Sequence, residues 1–234
     1  AAGMRRIVNL SSMARYGDIA APFRETDRPE PADPYGIAKF AAEREVALLA
    51  RVHGFEFATA IPHNVLGPGQ RYSDPFRNVA GIMVNMLLQG RPPFIYGDGE
   101  QRRCFSFVSD AVDCLERLGL DASTSGLTVN IGPDATDLGA LISINGLCAL
   151  LQKIVGTDLE PVYMPARPQE VKHAFCSSAL ARERLGYQTK VGLEEGLTQM
   201  VAWIRARGPV PFEYHLPIEI PSSNTPRTWT ERLF

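Results

Sequence analysis

No run of apolar residues in this chain approaches the roughly 20 that a helix needs to cross a bilayer, and the start Ala1-Ala2-Gly3-Met4-Arg5-Arg6 lacks the long apolar core of a signal peptide. A membrane span is therefore not expected, and a cytoplasmic location is. An excess of either charge is also missing: 24 Lys and Arg stand against 26 Asp and Glu, a net charge of −2, with the basic residues scattered. That leaves no footprint for a nucleic-acid backbone, so nucleic acid is not an expected partner. Cysteine is scarce. Cys104, Cys114, Cys148 and Cys176 form no Cys-x-x-Cys pair and lie in apolar stretches, so buried reduced thiols are expected instead of disulfides or zinc ligands. The four histidines have no metal-ligand spacing, and no metal site is expected.

What is present is apolar patterning. At 234 residues, with 45% hydrophobic and 21% charged composition, the chain can bury a substantial core in one or two domains, and disorder is excluded. Short apolar runs at 7–10 and 57–61 bracket an amphipathic stretch at 35–53 closed by Gly54, a strand–helix–strand pattern. The alternation continues with helices predicted over 78–89, 109–119, 145–155, 177–185 and 193–207, and strands near 94–96, 128–131 and 162–164. After Gly208 the chain carries Pro209, Pro211, Pro217, Pro221 and Pro226, which predicts an extended tail docking through Phe212, Tyr214 and Trp229.

Chemistry concentrates at Tyr35-Gly-Ile-Ala-Lys39, where a phenol and an ammonium four residues apart share one face of the predicted helix. Asp33 suits the N-cap and Pro34 the first helical position. The positive helix end and the ammonium both favour a phenolate, which makes Tyr35 a candidate general base. Ser12 follows the apolar run Ile7-Val8-Asn9-Leu10, where a strand end delivers its hydroxyl to the mouth of a sheet. Ser12, Tyr35 and Lys39 together form a candidate proton relay.

Tyr-x-x-x-Lys alone is a weak motif, but its surroundings are specific. Ser11-Ser12-Met13-Ala14-Arg15-Tyr16-Gly17-Asp18, Pro31-Ala32-Asp33-Pro34-Tyr35-Gly36-Ile37-Ala38-Lys39, Pro62-His63-Asn64-Val65-Leu66-Gly67-Pro68-Gly69-Gln70, Gly97-Asp98-Gly99-Glu100-Gln101-Arg102-Arg103 and Arg167-Pro168-Gln169-Glu170 occur in order. In these stretches the chain resembles the extended short-chain dehydrogenase/reductase family, in particular nucleotide-sugar epimerases of the UDP-glucose 4-epimerase type. The resemblance reaches to about Arg207. It implies NAD as cofactor, a nucleotide-sugar substrate and an α/β fold: the C-terminal part of a Rossmann-type parallel sheet plus a smaller α+β substrate-binding domain.

The resemblance also implies roles. Tyr35 would take a proton from the sugar 4-hydroxyl and lie against the cofactor, Lys39 would hold the nicotinamide ribose, and Ser12 would hydrogen-bond the reacting oxygen, with Ser11, the weaker serine candidate, at the cofactor. Pro62 and His63 would lie at the nicotinamide and Asn64 at the nucleotide sugar; Ile61 stands where an arginine is usual, which removes a charge there. Arg103 and Arg167 would grip the diphosphate and nucleotide, Glu170 the ribose, and Asn78 and Val79 would offer amides to phosphate. Ala174 stands where the family varies beside the sugar 2-substituent, and its small side chain leaves room for an N-acetyl group. Dehydratases of the family carry Asp-Glu where this chain has Met13-Ala14, so elimination is disfavoured relative to epimerisation through a 4-keto intermediate. Other readings stay open: a reductase, decarboxylase or dehydratase of the same family, or a cofactor-less sugar-binding protein. Locally, Tyr35 and Lys39 could be surface residues, Ser12 a turn cap, Asn64 a turn residue, Asn78 and Val79 an ordinary helix start, and the arginines solvated.

No Gly-x-Gly-x-x-Gly turn occurs, although the family needs one to bind pyrophosphate. The expected organisation is therefore the end of a dinucleotide-binding domain at 1–66, and a mostly substrate-binding part at 67–207 with a strand and helix returning to the first domain. A Pro-rich tail would occupy 208–234. The first half of the sheet is expected to be absent, and these residues alone are expected to be inactive. A homodimer through the helix at 35–53 is permitted by Ala47, Leu48 and Leu49.

Overall fold

The structure is a computed structural model that describes residues 3–168, 170–216 and 225–234. Two compact units share the chain: Ala1–Val65, Arg102–Leu141 and Val171–Leu193 form the first, and Leu66–Gln101, Ile142–Glu170 and Glu194–Phe234 the second. The return of the chain to the first unit is thus longer than one strand and one helix. Pairing of His173 with Arg102 and of Ala174 with Arg103 holds the returning segments together.

In the first unit the strands Arg6–Leu10, Glu56–Pro62 and Thr128–Ile131 form a parallel sheet in that order, with Ile7 opposite Phe57 and Ala60 opposite Val129. Parallel neighbours cannot be joined by a tight turn, so the helix Pro34–His53 makes the crossover between the first two. Its start is set by Asp33, whose side chain accepts from the Gly36 amide at 2.6 Å, followed by Pro34. Its end is set by Gly54, at φ 73°, which donates to the Ala50 carbonyl. The middle strand is buried along Ala58–Ile61, where small side chains let the helix Val108–Leu120 lie against it. Ala58, Ala60, Leu118, Val129, Ile131 and Leu185 belong to that core, while Tyr16, Phe23, Ile61, Ala174 and Cys176 form a second one.

In the second unit the helix Val79–Leu88 is buried from Ala80 to Leu87 and packs on the helix Ile144–Val155; Phe94–Tyr96 pairs in parallel with Val162–Met164. The tail differs from its expected extended form, because Arg227–Thr230 make a turn of helix. It docks through two of the expected aromatics, Trp229 and Tyr214, whose rings meet Phe76 with centroids at 5.3 and 6.1 Å, whereas Phe212 meets Phe234 at 5.4 Å within the tail. Pro217 and Pro221 of the tail, and Gln169 of the arginine motif, lie outside the described residues. All four cysteines are free and buried. No metal-binding group, and no helix long and apolar enough to cross a membrane, exists among the described residues.

Candidate active site

The first unit places Ser11 and Ser12 just after the carboxyl end of one strand and Pro62, His63 and Asn64 at that of its parallel neighbour. Arg6–Leu10 ends immediately before Ser11 and Ser12, and Ser12 starts the 3-10 turn Met13–Tyr16, its Oγ accepting from the Ala14 amide at 3.2 Å. Its capping role leaves the hydroxyl hydrogen available to an acceptor. Tyr35 sits in the first turn of the long helix, 57% exposed, and Lys39 one turn later donates from Nζ to the Leu10 carbonyl at 2.9 Å. That ammonium lies 5.7 Å from the centre of the Tyr35 ring. One strand-end bond thus ties the Tyr-x-x-x-Lys helix to the residues leading into Ser12.

Ser11 is placed differently from expectation. It is buried, and its hydroxyl donates to Glu43 inside the protein, so that hydroxyl is not offered to a cofactor. Glu43 in turn lies 3.0 Å from Arg15 Nη1, both side chains under a tenth exposed. Neither Arg15 nor Glu43 was a candidate from the sequence. The available signal was spacing: Tyr35, Lys39 and Glu43 form an i, i+4, i+8 row on the helix. Burial raises the Glu43 carboxyl above its ordinary range, opposed by the Ser11 hydrogen bond and the Arg15 charge.

Asn64, at φ 31°, donates from Nδ2 to the Cys104 carbonyl at 2.8 Å and lies 3.7 Å from Met13 Sδ. Its side chain braces the loop below the turn that starts at Ser12. Pro62 is half-buried, whereas His63 is fully buried, and a Cβ on Gly132 would come within 2.7 Å of the His63 ring. Burial lowers the imidazole to about 4, the Asp134 charge only partly offsetting it. In the folded protein His63 therefore binds fewer protons than in the unfolded chain between the ordinary 6.5 and about 4. Its contribution to stability is full above that window and is lost as pH falls through it. Acidification from pH 7 to 4 is expected to cost the wild type roughly 3 kcal/mol more than a His63→Gln variant, at about 1.4 kcal/mol per pH unit. Urea unfolding of both proteins across that range checks this, and parallel pH slopes would refute it.

Arg103 and Ala174 are register partners on adjacent strands. Arg103 Nη1 donates to the Arg102 and Lys172 carbonyls at 2.8 and 3.2 Å. Ala174 is buried in the Tyr16–Phe23 core, so the open space expected beside it is filled by protein.

The second unit holds the other candidates. Asn78 caps the helix Val79–Leu88, its Oδ1 accepting from the Ala80 amide at 3.0 Å. The guanidinium of Arg167 lies 4.0 Å from the Tyr96 ring centre and 5.2 Å from that of Trp229, between two aromatic side chains. Glu170 is exposed, and the Gln101 Nε2 that donates to the Tyr96 carbonyl at 3.1 Å also lies 3.5 Å from its Oε1.

The parallel sheet of the first unit carries Ser12 after one strand and Tyr35 and Lys39 on the crossover helix. The chain belongs to the NAD dependent epimerase/dehydratase family, whose model matches residues 1–132. It is 33% identical over 208 residues to a UDP-glucose 4-epimerase of Mycolicibacterium smegmatis, across 87% of this chain and 64% of that protein. It is 28% identical over 211 residues to a UDP-N-acetyl-alpha-D-glucosaminuronate decarboxylase of Bacillus cytotoxicus, across 87% and 64%. Among solved structures it is similar to the UDP-glucose 4-epimerase of Thermotoga maritima with UDP-glucose, at 34% identity and TM-score 0.76, across 88% of this chain and 65% of that one. The chain therefore spans just under two thirds of the length of these relatives.

Proposed function

We propose that the full-length protein is an NAD-dependent epimerase acting at C4 of a UDP-linked hexose of the glucose/galactose type. The observation that carries this reading is the tie between the Lys39 ammonium and the Leu10 carbonyl. It sets the helix bearing Tyr35 against the strand end that leads to Ser12. Tyr35 removes the proton from the sugar 4-hydroxyl, and Ser12 donates to the same oxygen as charge develops on it. Bound NAD supplies a hydride acceptor for C4 that can return the hydride to the opposite face.

The residues present fit the nicotinamide-ribose end of that cofactor. Of the three Lys39 donors one is used by Leu10, which leaves the others for ribose hydroxyls. No residue of this sequence supplies the glycine-rich turn for the pyrophosphate. Met13 and Ala14, on the turn after Ser12, bring neither acid nor base, which supports epimerisation over elimination of water. Incubation with UDP-glucose and with UDP-N-acetylglucosamine, with the sugars resolved, tests the reading; absence of the 4-epimer from both refutes it.

Arg167 is proposed to donate to the substrate diphosphate, its plane already held by Tyr96 and Trp229. Arg167→Ala is expected to weaken UDP binding by roughly 1.5–3 kcal/mol, the range for a hydrogen bond to a charged group. Calorimetric titration of UDP against both forms decides it, and equal affinities would remove Arg167 from the site.

A further inference from the structure

The Ser11–Glu43–Arg15 cluster lies beneath the candidate active site and has no part in the chemistry proposed for it. A buried ion pair is weak evidence for stability, because desolvation of both charges offsets their attraction; its best-attested use is to fix one arrangement among several. Here it joins two elements that must be held in register. Successive strand-end residues are tied to successive turns of one helix: the Leu10 carbonyl accepts from Lys39, and the Ser11 hydroxyl donates to Glu43. Arg15, two residues beyond the turn's first position, closes the ring by reaching back to Glu43 at 3.0 Å, its guanidinium 5.3 and 5.4 Å from the Tyr16 and Phe40 ring centres. Contact is tight on the near side too, since a Cβ on Gly36 would fall 2.5 Å from the Ala14 carbonyl oxygen. The turn that presents Ser12 is therefore clamped to the helix that presents Tyr35 and Lys39.

We propose that Glu43, by accepting from the Ser11 hydroxyl while Arg15 balances its charge, is a positioning residue that holds the Ser12 hydroxyl in register with Tyr35. This rests on the function proposed above, so the test reads the turn and the reaction separately. Glu43→Leu removes both interactions. Arg15→Met with Glu43→Gln removes both charges yet keeps a side-chain oxygen to accept from Ser11. In the full-length protein Glu43→Leu is expected to lower kcat about tenfold or more while UDP affinity stays within about twofold, the split for groups that act only on transition-state geometry. The double variant is expected to recover to within about threefold of wild type. Hydrogen exchange at the Ala14 and Arg15 amides, which bond to Ser12 Oγ and Ser12 O, should accelerate about tenfold in Glu43→Leu and return in the double variant. The Ala58–Ile61 amides should not change in either. Ser11→Ala, which deletes one hydroxyl, serves where Glu43→Leu does not fold, with the same directions expected. Unchanged exchange at the turn, or a kcat loss that the double variant does not restore, overturns the positioning role. Altered exchange in a protein that shows no epimerase activity overturns the proposed function and leaves the clamp standing.

Discussion

Tyr35→Phe in the full-length protein lowers turnover by at least about a hundredfold and leaves nucleotide-sugar affinity nearly unchanged. Positioned acid–base groups contribute about 10²–10⁴-fold, and phenylalanine keeps the ring but removes the only atom that can carry the proton. The ring is more than half exposed at the first turn of its helix, so its loss of a hydroxyl breaks no buried bond and costs little stability. A defect in kcat and kcat/KM together is the mark of a group that acts only in the transition state. Steady-state kinetics with a parallel UDP-sugar titration measure both; near-normal turnover would rule out Tyr35 as the base.

Lys39→Ala is expected to lower both the rate and the affinity for NAD, because one ammonium serves the helix–strand tie and the proposed ribose contact. A hydrogen bond from a charged donor is worth about 1.5–3 kcal/mol, so roughly 10- to 150-fold in kcat/KM is expected, with NAD binding weakened by about tenfold or more. Arginine at this position would not substitute well, since its planar fork cannot place a point charge at the Leu10 carbonyl and on a ribose at once. Stopped-flow turnover with NAD titration separates the two effects. A rate defect with intact NAD affinity would remove the ribose contact.

The long helix was legible in the sequence to within a residue at each end, because Asp33-Pro34 and Gly54 carry the chemistry that starts and stops a helix. The sheet strands were legible from their apolar runs. Two three-residue strands, Phe94–Tyr96 and Val162–Met164, were legible from their apolar residues, whereas Arg102–Cys104 and His173–Ala174 were not, since so few positions, charged or polar in part, show no period. The turn at Met13–Tyr16 and the helix at Arg227–Thr230 were missed for the same reason. Arg15 was hidden by its type: charged residues are rarely buried, and only a partner on a distant helix makes it tolerable. Glu43 stood in plain view as the third member of the Tyr35–Lys39 row, but its depth depends on how the turn after Ser12 folds. Ala174 reads as open space in sequence and is filled in the fold because Tyr16 and Phe23 pack beside it.

Oxidation and reduction at C4 of a nucleotide sugar is the centre of the proposed chemistry, and isotope retention reaches it most directly. Full-length protein with NAD, given UDP-glucose carrying deuterium at C4, is expected to form UDP-galactose that keeps the deuterium at C4 and to accumulate no NADH. Washing out of the label, stoichiometric NADH, or a product that has lost water or carbon dioxide would contradict it.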